Sequence, residues 1–249
     1  MKFRVSNLTL TNITISLLIL SGCATYQAQK VGPTVIQHAR EEIPEDQLMD
    51  VGILVFQSKE ITEEAAEDEG TNNDIRKAEG HFIPYHLKNT LSQSSQWGAV
   101  RVIPDKTDSV VLLVEGEILE SNGENLVLRI DVTDAADVTW FSKNYKAEAN
   151  RSTYTDNRLG EKDAFQDLYN TIANDMAKFK MELSPTEIKK IRTTAKLKFA
   201  GEFAPEAFSE HLVTDEKGTM TINRLPADDD PMMERLLKIR EREYMYVDA

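Results

Sequence analysis

Cys23 is the only thiol in this 249-residue sequence, and the residues before it are small. Ser21 and Gly22 leave room for a membrane peptidase to reach the backbone. The Cys23 sulfur can carry a diacylglycerol, and its freed amine a third, palmitate-class chain. One acyl chain anchors only marginally; two or more anchor stably, at roughly 0.8 kcal/mol per buried CH₂. A cysteine used in this way leaves no thiol for a disulfide, a metal site or a nucleophile.

The other residues that could do chemistry are carboxylates and histidines. Glu115 and Glu117 stand two apart, on one face of a strand, a pairing that a glycosidase could use. No matching acid is found elsewhere. His81 and His86 flank Pro84 five residues apart, which is about 140° on a regular helix and unsuited to a shared metal. His38 and His211 are isolated. Asp228, Asp229 and Asp230 precede Pro231 and read as a helix cap with dipole-complementing neighbours. The acidic run between Gln57 and Asn73 lacks calcium-loop spacing and reads as solvated. Neither a Gly-x-Ser-x-Gly elbow nor a phosphate-binding glycine pattern occurs. The expectation is a chain that is not an enzyme, with no catalytic residue, no cofactor and no metal site.

The elements around Cys23 sharpen its reading. Lys2 and Arg4 form a positive start, and Leu8 to Leu20 a short, hydroxyl-dotted apolar core. A membrane-spanning helix needs about 20 apolar residues, so this core fits an export signal instead. Leu20-Ser21-Gly22-Cys23 resembles the bacterial lipobox. The resemblance implies a signal peptide over residues 1–22, cleavage before Cys23, lipid on Cys23 and a lipidated tether over 23–48. Ala24 and Thr25 stand where an Asp would mark inner-membrane retention, which implies the outer membrane, facing the periplasm. The signal holds two of the 29 Lys and Arg and none of the 42 Asp and Glu, so the mature chain stands at −15. Such a chain does not bind nucleic acid or anionic head groups by bulk charge.

Beyond the tether the patterning predicts an α+β fold. Val51 to Phe56 reads as a buried strand. Ile75 to Ser92 reads as a helix that begins or kinks at Pro84, with Phe82, Ile83, Leu87 and Leu91 as its apolar stripe. Trp97 to Ile103 is a second strand. Three more follow: Val110 to Leu119, a turn at Asn122-Gly123, the alternating Leu126 to Thr133, a turn over Asp134 to Asp137, and Val138 to Glu148. The order is β-α-β-β-β-β over 49–150, one helix packed on a mostly antiparallel sheet. A mainly helical region over 160–249 follows. Phe165, Leu168, Tyr169, Ile172, Met176 and Phe179 form a helical stripe read as core. Ser184-Pro185-Thr186-Glu187 is a helix start. Gly218 to Leu225 reads as a brief strand, and a last helix from Pro231 has no stop signal before Ala249.

Val114-Glu115-Gly116-Glu117-Ile118, Leu128-Arg129-Ile130-Asp131-Val132 and Val138-Thr139-Trp140-Phe141 lie in this strand series. With the helix before them, they resemble the periplasmic α/β domain of the TolB amino-terminal region, the curli secretion lipoproteins and the LpoB-type activators. The resemblance covers Val51 to Glu148 and implies a scaffold that binds proteins. The expected function is a membrane-anchored, non-enzymatic binding or assembly module of the cell envelope, with another envelope protein as partner. A regulator of peptidoglycan synthesis and an envelope hydrolase are the alternatives. Tyr244, Tyr246 and Arg240 on the final mixed-charge helix are the candidate interface.

Overall fold

The computed structural model describes residues 28–58, 73–107, 110–149 and 163–246. Cys23, the signal and the acidic run between Ser58 and Asn73 lie outside them.

The fold is α+β. Its strands are β1 (Gln29–Lys30), β2 (Val51–Leu54), β3 (Gln57–Ser58), β4 (Val100–Ile103), β5 (Leu112–Ser121), β6 (Asn125–Asp134) and β7 (Thr139–Glu148). They form one sheet in the order β1-β7-β6-β5-β2-β4, with β3 also on β5. The sheet is mixed, with its two longest ladders antiparallel and its shorter pairings parallel. Only β5–β6 and β6–β7 run antiparallel; β2 lies parallel to both β4 and β5, and β1 parallel to β7. A helix separates β3 from β4, and a helical crossover returns the chain in the same direction. The unbroken burial of Val51, Gly52 and Ile53 fits such an inner parallel strand.

Turn chemistry fixes the meander. Gly123 sits at φ 77° between β5 and β6, a conformation that a side chain resists. Between β6 and β7, the Asp134 carboxylate accepts from Ala136 N (2.8 Å), Val138 N (3.2 Å) and Trp140 Nε1 (3.1 Å). Burial of that carboxyl pushes its pKa up.

Helix α1 (Asn73–Gln93) begins well before Pro84 and holds it in its interior. Proline removes the N–H that residue 80 would otherwise receive. The freed Gly80 carbonyl accepts instead from Phe56 N at 2.9 Å. A break in the helix ladder thus becomes a helix-to-sheet tie.

One helix on the sheet was expected, and three contribute. Helices α2 (Gln166–Glu182) and α3 (Pro185–Phe203) add Leu168, Tyr169, Ile172, Met176, Ile188 and Ile191 to a single core with Ile53, Val114, Leu128 and Ile130. Helices α2 and α3 thus share one core with the sheet. Ser184 and Glu187 form the expected capping box. After α3 come α4 (Pro205–Phe208), a hairpin of β8 (Leu212–Thr214) and β9 (Met220–Ile222), and α5 (Pro231–Tyr246). Asp230 caps α5, accepting from Met232 N (2.9 Å) and Met233 N (3.0 Å).

The stretch expected as a tether is also different. Residues 29–48 form an arm fastened across the helical layer. Thr34 N donates to Asp167 (2.9 Å) and Gln37 N to Asn174 (2.8 Å), while Asn170 and Asn174 donate to the carbonyls of Thr34 (2.7 Å) and Val35 (2.9 Å). Farther on, Ala39 N donates to Ser94 O (2.9 Å) and Arg192 to the carbonyls of Glu45 and Leu48. Asp167, Asn170 and Asn174 recur at helical spacing, so one polar stripe of α2 receives the arm's backbone.

Candidate functional site

The outward face of α1 is the most distinctive surface. Arg76, Gly80, Ile83, Leu87 and Leu91 point inward and are buried. Phe82, expected in that inward stripe, is not part of it: it follows one residue before Ile83, about 100° round the helix. It stands 52% exposed, with Ile75 at 45% and Tyr85 at 49%. Positions 75, 82 and 85 fall within about 80° of one another on the helix. Large apolar groups gathered on one exposed face are unusual on a surface with no partner.

The neighbours of this stripe hold its rings in place. The His86 ring lies 4.2 Å from Phe82 and 6.0 Å from Tyr85, and it stacks on Tyr169 at 5.8 Å and 22°. Lys88 Nζ lies 5.5 Å from the Tyr85 centroid. Asp163 approaches His86 Nε2 at 4.0 Å. Burial, then the Asp163 and Glu79 carboxylates, raise the Tyr169 phenol well above its ordinary range, so it stays protonated. The result is an aromatic shelf backed by the buried Tyr169. Rigid, partly buried aromatics are the anchors of protein interfaces.

The carboxylate pair lies elsewhere. Glu115 and Glu117 are half-buried on the sheet face away from α1 and α2. Across the ladder, Glu115 faces Asp131 and Glu117 faces Arg129. Arg129 Nε pairs with Asp131 at 3.3 Å. Two side chains on one strand face project in the same direction. A glycosidase places its carboxyls on either side of a sugar. This arrangement lines a shallow depression with Leu54, Val55 and Gln57 instead.

The remaining sequence candidates do not converge. His81 is exposed while His86 is half-buried. His38 Nδ1 donates to Gln93 O and His211 Nδ1 to Arg224 O, each at 2.9 Å. Among the described residues no group of three His, Cys, Asp or Glu could hold a metal. Arg240 is half-buried, and its positive charge disfavours the charged form of Lys196 on α3. The side chains of Tyr244 and Tyr246 lie outside the described residues.

Sequence reasoning missed Lys180. This buried lysine donates to Gln96 O and sits 5.2 Å from the Trp97 centroid. Burial lowers its pKa to about 8. Trp97, Trp140 and Phe179 form a ring cluster there, with Trp140 and Phe179 stacked at 4.7 Å.

No family model and no curated protein matches the chain. Among solved structures, the PelC dodecamer of Paraburkholderia phytofirmans is 11% identical over 60% of this chain and 93% of that one, with a TM-score of 0.31. A variant of the same dodecamer gives a TM-score of 0.30, again at 11% identity over 60% of this chain and 92% of that one. A Xanthomonas campestris protein of family DUF330 is 8% identical over 61% of this chain and 92% of that one, at 0.32. Likenesses this slight carry no function to this chain.

Proposed function

We propose that this chain is the precursor of a bacterial lipoprotein, acylated on Cys23, whose folded part is a non-enzymatic binding module of the cell envelope. The signal-like residues 1–22 and the Leu-Ser-Gly-Cys series support the anchoring. The observation that carries the binding role is the exposed stripe of Ile75, Phe82 and Tyr85, braced by His86. In this reading the protein faces the periplasm from the outer membrane. Its partner is an envelope protein with an apolar groove. A basic rim on that groove would favour encounter with a mature chain at −15.

A photo-crosslinking side chain at position 82, in intact cells, tests this. The expected result is one predominant envelope partner, lost in Tyr85→Ala with the fold unchanged. Scattered crosslinks that Tyr85→Ala leaves unaltered would sink the binding role. Anchoring is tested separately. Cys23→Ser should fold normally but remain unprocessed or leave the membrane fraction.

A further inference from the structure

We propose that the domain lies against the bilayer by one defined face, the β1–β7 edge with the start of the arm. This rests on acylation of Cys23. Only five residues separate Cys23 from Gln29. Fully extended, that leash spans about 20 Å. A folded chain of this size has a radius of gyration of about 17 Å, so its far side is about twice the leash away.

The leash ends on a fixed point. Gln29 and Lys30 pair with Tyr145 and Lys146, Val31 N donates to Lys146 O (2.8 Å), and Lys30 pairs with Glu148 (2.9 Å). Thr34 and Val35 are then held on α2 by Asn170 and Asn174. The arm cannot be drawn out to lengthen the leash without breaking these bonds. Only the face around β1 can therefore reach lipid.

That face suits a bilayer interface. Val35 is 84% exposed on the arm itself, the highest value among the large exposed apolar residues. Beside the exit, Lys30 and Glu148 neutralise one another at 2.9 Å, while Asp163 and Asp167 stand in the same groove. The occupant is thus the membrane that holds the lipid, with Val35 at head-group level. The hairpin β8–β9 meets the β6–β7 turn instead, Met220 N donating to Ala136 O (2.8 Å), at the opposite end of β7 from β1, and Leu236 of α5 packs on Phe199 and Ala200 near the end of α3.

Amide hydrogen exchange of the lipidated protein in phosphatidylethanolamine–phosphatidylglycerol vesicles tests the orientation. A second form carries a Gly/Ser insertion of about twenty residues after Tyr26, adding about 25 Å of mean reach. The native leash should slow exchange on the order of threefold at 29–36 and 143–149 relative to the long leash, with the hairpin and α5 unchanged. Equal exchange in the two forms, or protection centred on α5, overturns the proposal. Intact mass reports the acyl group independently. If Cys23 proves unmodified, the acylation reading fails on its own. A maleimide phospholipid on that sole thiol then supplies the anchor, and the same comparison decides the orientation.

Discussion

Phe56 donates its backbone N–H to the carbonyl of Gly80 at 2.9 Å, across the gap between the end of β2 and the middle of α1. Pro84 makes that carbonyl available, and the absence of a side chain at Gly80 makes the approach possible. A Cβ at Gly80 would lie 2.7 Å from the Phe56 carbonyl oxygen. Gly80→Ala adds about 1 kcal/mol of helix propensity, yet overpacking against backbone costs typically 1–3 kcal/mol. A net loss of about 1 kcal/mol is expected in urea denaturation. A stabilised Gly80→Ala would show that the tie is not tight.

The same Phe56 determines Gly116 on β5. A Cβ there would meet three ring carbons of Phe56 at 2.4 to 2.5 Å. Gly116→Ala should cost about 2 kcal/mol. Phe56→Leu, which removes the flat ring, should recover part of that loss when combined with it. A double-mutant cycle with no coupling would separate the two positions.

Local chemistry made much of the fold legible. The Ser184–Glu187 box, the Asn122-Gly123 turn, the Asp134 turn and the Leu168–Ile172–Met176 stripe each follow from neighbours within a few residues. The parallel pairing of β2 did not, because it depends on where the chain returns after α1. Nor did the arm: Asp167, Asn170 and Asn174 look like a solvated helix face, and only the folded chain shows that they hold backbone instead of water. Phe82 was misplaced because apolar type outweighed angle. Ile83, Leu87 and Leu91 already occupied the inward face, so Phe82 had to turn toward solvent. Lys180 carries no sequence signal; its burial comes from the Trp97 loop, far away in the chain.

Lys180 gives the fold a pH dependence of definite sign. Its pKa falls from an ordinary 10.5 to about 8 in the folded chain. Between those values the unfolded state binds more protons, so stability rises with pH. Tyr145 and Tyr169 act oppositely. Their phenols are raised by burial and by the Asp175 and Asp163 carboxylates, so their contribution falls away as pH climbs past the unfolded value of 10.0. The window free of the tyrosines is therefore pH 8 to about 9.5, where Lys196, also lowered by burial, contributes with the same sign as Lys180. Across it wild type should gain on the order of 2 kcal/mol more than Lys180→Met. Parallel curves for the two would mean that Lys180 is not desolvated.

The arm's hold on α2 is the last quantity to test, because the membrane-facing orientation depends on it. Asn170 donates to Thr34 O at 2.7 Å; Asn174 donates to Val35 O at 2.9 Å and accepts from Gln37 N at 2.8 Å. A net hydrogen bond contributes about 0.5–1.5 kcal/mol, and three are lost here, two of them exposed to solvent. Asn170→Ala with Asn174→Ala should therefore cost about 2–3 kcal/mol. Limited proteolysis should then cut between Val31 and Pro44, a stretch that should resist in the native chain. The ends of the arm are held independently, by β1 on β7 and by Arg192 on Glu45 and Leu48, so the sheet and α1 should remain folded. A double variant that resists protease as well as the native chain would mean that the remaining bonds, Thr34 N to Asp167 and Ala39 N to Ser94 O among them, hold the arm without Asn170 and Asn174.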